Sequence, residues 1–275
     1  MKNSGKHVLC AWQGCAFLKN RGGKNVKIKF WGTAAGLAEA NRHCTSVLIE
    51  INDAYYILDF GAPVEHLIAK DTIEIGKIKA AFVTHMHADH AETLVSFAKL
   101  YAKFTDFLYA PASVRLYMPD GVNAFCAWLE ALNLDMSERM EMIKIEEGMI
   151  FDSETLRVKA VRTEHLGKDK PSYAFVFEAE GKKVLFTGDL AGDFHDFPYG
   201  EQYDLIVCEL AHADIPKMER CLEKSGCGNV IFYHMTSEAT LIEKLGVNRI
   251  GVLEADKDSL GFHYQLAYDG MEIEL

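Results

Sequence analysis

Long apolar runs are missing from this chain, and with no uninterrupted stretch of about 18 hydrophobic residues there is no candidate membrane span. The N-terminal stretch does not read as a secretion signal, because Gln13, Gly14, Lys19 and Arg21 break up its apolar segment. Cysteine pairing is absent as well. The seven cysteines (Cys10, Cys15, Cys44, Cys126, Cys208, Cys221, Cys227) are odd in number and form no CxxC. Such usage suits free thiols in a reducing cytoplasm. Positive charge is scarce: 29 Lys and Arg against 40 Asp and Glu leave a net charge of −11. That balance argues against extended nucleic-acid binding, which leaves a basic footprint across a domain. Only six prolines are present, without repeats or low-complexity tracts, and 49% hydrophobic with 25% charged residues is globular composition.

What is there reads as an α/β chain of 275 residues without a clean linker, hence one domain over 26–275 behind an appendage over 1–25. Trp12 and Phe17 of the appendage suit a lid, a dimer contact or simple packing on the core. Alternation predicts strands over Val26–Phe30, Thr45–Ile51 and Ala54–Phe60, the last two joined at Asn52-Asp53. A helix over Pro63–Ala69 precedes a short apolar strand, Ile78–Val83. Apolar residues at three- and four-residue spacing then predict a helix over Ala91–Phe104. Further expectations are a strand over Phe107–Ala110, a helix over Val122–Leu132, and strands over Glu141–Ile145, Leu156–Val161, Tyr173–Glu178 and Lys183–Phe186. The final third alternates: strand Leu205–Glu209, helix Ile215–Lys224, strand Val230–Tyr233, helix Ser237–Leu245, strand Ile250–Leu253. Lys24, Lys27 and Lys29 could steer an anionic substrate, although alternate lysines on a strand usually make a solvated face.

The strongest signal is His85-Met86-His87-Ala88-Asp89-His90, of the form HxHxDH, for which a chance match in a chain of this composition is about one in a thousand. It sits between an apolar strand and a helix, so four polar groups crowd one strand-to-helix loop. Imidazole and carboxylate are donors that suit zinc, manganese or iron. Three histidines and an aspartate within six residues exceed one ion's needs once further ligands arrive, which suggests two divalent metals. His165, Asp189 and His234 each follow a predicted strand, the geometry expected of ligands converging on one sheet edge. Each alone reads more simply as a hydrogen-bonded polar residue.

With these residues in this order, the sequence resembles the metallo-β-lactamase fold superfamily from about Val26 onward. The resemblance implies an αββα four-layer sandwich. It implies one metal on His85, His87 and His165, another on Asp89, His90 and His234, and Asp189 between them. Zinc is the first candidate for both ions. Asp59, at a strand end before Gly61, would orient a ligand histidine, or would cap the helix beginning at Pro63. Hydrolysis by a metal-activated water is the default reaction of such a site.

Phe30-Trp31-Gly32-Thr33-Ala34-Ala35-Gly36 and Asn41-Arg42-His43-Cys44-Thr45-Ser46 look like the opening of ribonuclease Z and its phosphodiesterase relatives. Tyr203 to Ala211 resembles the ribonuclease Z segment ending in His-Glu-Ala-Thr, but Cys208 stands where that histidine would be. Glu209 with His212 offers a substitute proton donor, so Asp89, Glu209 and His212 are the candidate catalytic residues. His165 and Asp189 lie 24 positions apart, too close for the inserted arm with which bacterial ribonuclease Z grips tRNA. The expected substrate is therefore a small-molecule or short nucleotide phosphodiester, with an ester, thioester or lactone as the alternative. A scaffold without turnover is the other class to weigh, and it fits poorly with seven filled ligand positions. The resemblance also admits a homodimer.

Overall fold

Where the chain can turn decides how its strands pair. The computed structural model describes residues 25–108, 112–246 and 248–275, so the expectations for the segment up to Lys24 lie outside the described residues. β1 (Val26–Gly32) runs antiparallel to β2 (Ser46–Ile51), which turns through Asn52 and Asp53 into β3 (Ala54–Leu58). Both turn residues have positive φ, +49° and +67°, the pairing that a tight two-residue hairpin requires. α1 (Val64–Lys70) then carries the chain to β4 (Ile78–Phe82), parallel to β3, and β5 (Val114–Met118) and β6 (Met140–Lys144) continue in parallel.

The second sheet starts as an antiparallel meander of β7 (Gly148–Asp152), β8 (Arg157–Thr163), β9 (Ser172–Ala179) and β10 (Lys182–Phe186). It goes on in parallel through β11 (Leu205–Glu209), β12 (Asn229–Tyr233) and β13 (His263–Leu266). β14 (Glu272–Glu274) returns to pair with β1, giving sheets ordered β14-β1-β2-β3-β4-β5-β6 and β13-β12-β11-β10-β9-β8-β7. Three buried layers follow. Phe30, Phe82, Phe175, Phe186 and Tyr233 fill the space between the sheets. Outside the first sheet, Leu67 and Ile68 of α1 pack with Phe97 and Tyr101 of α3 (Leu94–Leu108) and Phe125 and Leu129 of α4 (Val122–Ala131). Outside the second, Met218 and Leu222 of α5 (Ile215–Ser225) meet Leu253 of α7 (Arg249–Asp256), which follows α6 (Glu238–Leu245) in the chain. This is the expected αββα sandwich. Parallel strands β3–β4 and β10–β12 deliver their carboxyl ends to one edge, the usual place for a site in sheets so connected.

Two expected strands are corrected. Phe107 and Leu108, the first half of the run expected over Phe107–Ala110, belong to α3, and the second half lies outside the described residues. Four apolar residues do not distinguish a strand from a helix end. Ile250–Leu253 lies inside α7, which Asn248 caps by accepting a 2.8 Å bond from the Gly251 amide. The sequence reading also passes over β5, β7, β13 and β14, strands of three to five residues, too short for a period to stand out. The Lys29 ammonium is engaged in ion pairs with Asp71 and Glu272, each at 2.9 Å. Among the described residues no helix is long and apolar enough to cross a membrane.

Candidate metal centre

The site begins at the end of β3. Asp59, fully buried, is held at φ +60° so that its carboxylate points back at the loop following β4. It accepts the Thr84 amide at 2.8 Å, the Thr84 hydroxyl at 2.9 Å and His90 Nδ1 at 2.8 Å. Phe60 N–H donates to His90 O, so the two loops are stitched along their backbones. With Nδ1–H bound to Asp59, His90 presents Nε2 to the cluster. His85 Nδ1 lies 3.1 Å from the Thr84 hydroxyl, which leaves its Nε2 facing the same way. α2 (Ala88–Ala91) opens at His87 and brings Asp89 and His90 onto one turn.

The other groups come from the second sheet. His165 follows β8, Asp189 follows β10 and His234 follows β12 at φ +48°. The Thr45 hydroxyl, 2.6 Å from His234 Nδ1 and 3.3 Å from Ala34 O, can accept from the ring while donating to the carbonyl. His234 Nε2 is thereby left toward Asp189.

All seven sequence-derived ligand candidates converge. Donor atoms of His85, His87, His165 and Asp189 lie within 4.8 Å of one another, as do those of Asp89, His90 and His234. Asp189 stands between the groups: Oδ2 is 3.5 Å from His165 Nε2, 3.7 Å from His85 Nε2 and 3.2 Å from His234 Nε2, while Oδ1 is 3.5 Å from His90 Nε2. His165 Nε2 and His87 Nδ1 are 3.3 Å apart. A tetrahedral ion with donors at about 2.1 Å holds them about 3.4 Å apart.

Whether these residues suit a metal can be tested on the protein alone. His85 Nε2, His90 Nε2 and Asp189 Oδ1 are buried without any hydrogen-bond partner. Native proteins rarely leave such atoms unpaired, and three of them within one cluster of ligand-type groups are what bound cations would satisfy. The electrostatics agree. Burial, with neighbouring imidazoles, pulls His85 far below its ordinary value, and burial lowers His165. Burial opposes charge on Asp189, but the imidazoles of His234, His90 and His85 outweigh it and hold the carboxyl well below its usual range. Neutral imidazole and ionised carboxylate are the forms that ligate. His90 goes the other way. Burial disfavours its protonation, yet Asp189, Asp59 and Asp89 raise it to about 9, a sign of surplus negative charge.

Glu209 and His212, the other expected catalytic pair, are also brought together. Glu209 is buried at the end of β11 and accepts the His212 amide at 2.9 Å, with His212 Nδ1 3.4 Å away. The same Nδ1 lies 3.6 Å from Asp189 Oδ2, and Asp189, His212 and His234 form a third close group. Cys208, alternating with Glu209 along β11, points into the outer core and takes no part. A cavity of about 530 Å³ opens beside the cluster, with Gly36, Leu37, Glu39, His212, Ser237 and Thr240 in its walls. Two contributors escape the sequence reading. Thr45 orients His234, and the Gly36 amide donates to Asp89 Oδ2 at 2.6 Å. The Gly-Thr loop and the Thr45-Ser46 pair signal a border to the site, not these bonds.

Asp59→Asn should expose the dependence on orientation. Asparagine offers one acceptor where aspartate offers two, and its amide opposes His90 Nδ1–H. Affinity for a divalent ion is expected to fall about 10- to 100-fold, read by chelator competition. Unchanged affinity would show that His90 needs no such support.

Fold and residue order together define a protein of metallo-β-lactamase fold. The chain is similar to ribonuclease Z of Bacillus subtilis, 30% identical over 66% of this chain and 58% of that protein. Ribonuclease Z of Latilactobacillus sakei is 28% identical over 51% of this chain and 45% of that protein. The chain thus spans about half the length of the curated relatives it matches. In structure it matches the metallo-β-lactamase fold protein YhfI of Bacillus subtilis with a TM-score of 0.68, at 16% identity, over 91% of this chain and 100% of that one. The sequence model of the anti-Pycsar protein Apyc1 matches residues 26–240, and the chain belongs to that family.

Proposed function

We propose that the protein is a metal-dependent phosphoric diester hydrolase whose substrate is a small-molecule or short nucleotide phosphodiester. The observation that carries this reading is the convergence of seven ligand-type side chains with three buried, unpartnered donor atoms among them. Similarity to proteins named ribonuclease Z supports phosphodiester chemistry in particular. The donor set would hold two ions, one on His85, His87 and His165 and one on Asp89, His90 and His234, with the Asp189 carboxylate available to both. Zinc, manganese and iron all suit these donors. The chemistry such ions supply is a water nucleophile at neutral pH and polarisation of the phosphoryl oxygen.

The chain's own groups do the rest. Thr45, Thr84 and Asp59 fix the faces that His234, His85 and His90 present, so the donors are preorganised. Glu209 holds His212 beside Asp189, where the imidazole can protonate a leaving oxygen. A cavity of about 530 Å³ is in the size range of small-molecule sites, in keeping with a compact substrate. A net charge of −11 points away from long nucleic acid.

Apoprotein reloaded with Zn²⁺ or Mn²⁺ is expected to cleave bis(p-nitrophenyl) phosphate, and EDTA is expected to abolish the turnover. A p-nitrophenyl ester and a thioester, run beside it, should be poor substrates. Ester or thioester cleavage without phosphodiester cleavage would reassign the reaction; turnover that survives chelation would remove the metals from it.

A further inference from the structure

The family model matches as far as residue 240, and beyond it one carboxylate reaches back to the loop that borders the site. Asp269 lies between β13 and β14. Its Oδ1 accepts from the Thr33 hydroxyl at 2.8 Å and its Oδ2 from the His43 amide at 2.6 Å. Those two residues are the ends of the loop over 33–43 that links β1 to β2, and the Thr33 amide also donates to His43 O. Asp269 thus clasps the loop at its neck.

The rest of the loop is held by polar bonds and not by packing. Residues 35–43 are exposed or half-buried, and Leu37 at the tip is 82% exposed, so no apolar packing sets its path. Its other ties are polar. Thr33 O accepts from Met235 N, Ala35 N donates to Met235 O, and Arg42, itself paired with Glu39, donates to Met235 O at 3.0 Å. Through this loop the Gly36 amide reaches Asp89 Oδ2, and just past its end Thr45 reaches His234. Every one of these ties lands on Asp89, on His234, or on the residue after His234. None touches His85, His87 or His165.

We infer that Asp269 is a positioning residue for the Asp89/His90/His234 half of the cluster, acting through the 33–43 loop. The inference rests on the metal-centre reading for its consequence, and on the hydrogen bonds alone for its cause. Without Asp269, the buried Thr33 hydroxyl and the His43 amide lose their acceptor, the neck opens, and Gly36 N–H is no longer aimed at Asp89.

The test compares wild-type protein with Asp269→Ala, Asp269→Asn and, as reference, Asp89→Ala, using Zn²⁺ titration against a chromophoric chelator and amide hydrogen exchange. Asp269→Ala is expected to weaken, about ten-fold, the ion whose binding Asp89→Ala abolishes, leaving the other ion as in wild type. The Gly36 amide should exchange faster in Asp269→Ala, and Asp269→Asn, which keeps one acceptor, should fall between. Equal weakening of both ions would mark a general structural role and overturn the inference, as would wild-type binding and exchange in both variants. Should Asp269→Ala not fold, Thr33→Val removes one of the two clasp bonds and is expected to weaken the same ion by a smaller factor; no change there would count against the inference. Wild-type protein that binds no ion would remove the metal-centre reading, while Gly36 exchange would still decide whether Asp269 orders the loop.

Discussion

Replacing Asp189 with alanine is expected to lower phosphodiester turnover by about a thousand-fold or more and to release bound divalent metal. No other side chain of the cluster is shared so widely. Its Oδ2 lies within 3.7 Å of ring nitrogens on His85, His165, His212 and His234, and its Oδ1 is 3.5 Å from His90. The carboxylate is buried and surrounded by imidazoles, so alanine removes the one anion that both halves use and leaves a gap that no neighbour fills. Asp189→Asn separates charge from shape, since it keeps the volume and one acceptor oxygen. If the anion is what matters, the asparagine variant will resemble alanine in turnover and in metal content measured by mass spectrometry. Near-normal metal content in both variants, with activity lost, would move Asp189 from holding ions to acting on substrate. Near-normal activity in both would overturn the proposed centre.

The donor types of this centre are legible in the sequence because they are local. His85, His87, Asp89 and His90 share one strand-to-helix loop, and His165, Asp189 and His234 each follow an apolar run that forms a strand. A strand's end is a place that pattern alone identifies. What points each donor is not local. Thr45 and His234 are 189 positions apart, Gly36 and Asp89 are 53 apart, and Asp269 is 226 from His43. Nothing in a run of residues says which hydroxyl or amide will meet which ring nitrogen once two sheets have closed. The same limit explains the errors in the fold. Ile250 to Leu253 has the composition of a strand and becomes a helix because Asn248 caps it and Leu253 packs beneath α5. β14 has three residues and exists because β1 offers it an edge. Long amphipathic helices and alternating strands carry their own signal; short elements borrow theirs from neighbours.

Gly61→Ala tests the close approach on which the loops of the first sheet depend. Here the constraint is space. A methyl group on Gly61 would sit 1.8 Å from the carbonyl oxygen of Asp89 and 2.8 Å from Cys44 Cβ. The nearest atom belongs to backbone, which cannot swing aside as a flexible side chain would. Nor can the loops simply part. Phe60 N–H donates to His90 O at 2.7 Å, Gly61 N–H to Thr45 O at 2.9 Å, and the Asp59 carboxylate holds Thr84 and His90. The added methyl must therefore break this stitching or push the turn carrying Asp89 and His90 outward. A loss of about 3 kcal/mol or more in stability is expected, at the upper end of what overpacking costs. Metal binding should fail with it, because two donors of the cluster ride on the displaced turn. Gly36→Ala is the comparison: nothing lies within 4 Å of its added methyl, and its φ of +72° should cost only about 1 to 2 kcal/mol. Denaturant unfolding of the metal-free proteins, followed by zinc titration, separates the two effects. A Gly61→Ala protein as stable as Gly36→Ala and still able to bind zinc would show that the loops have slack, and that the spacing of β3 and α2 does not set the geometry of the centre.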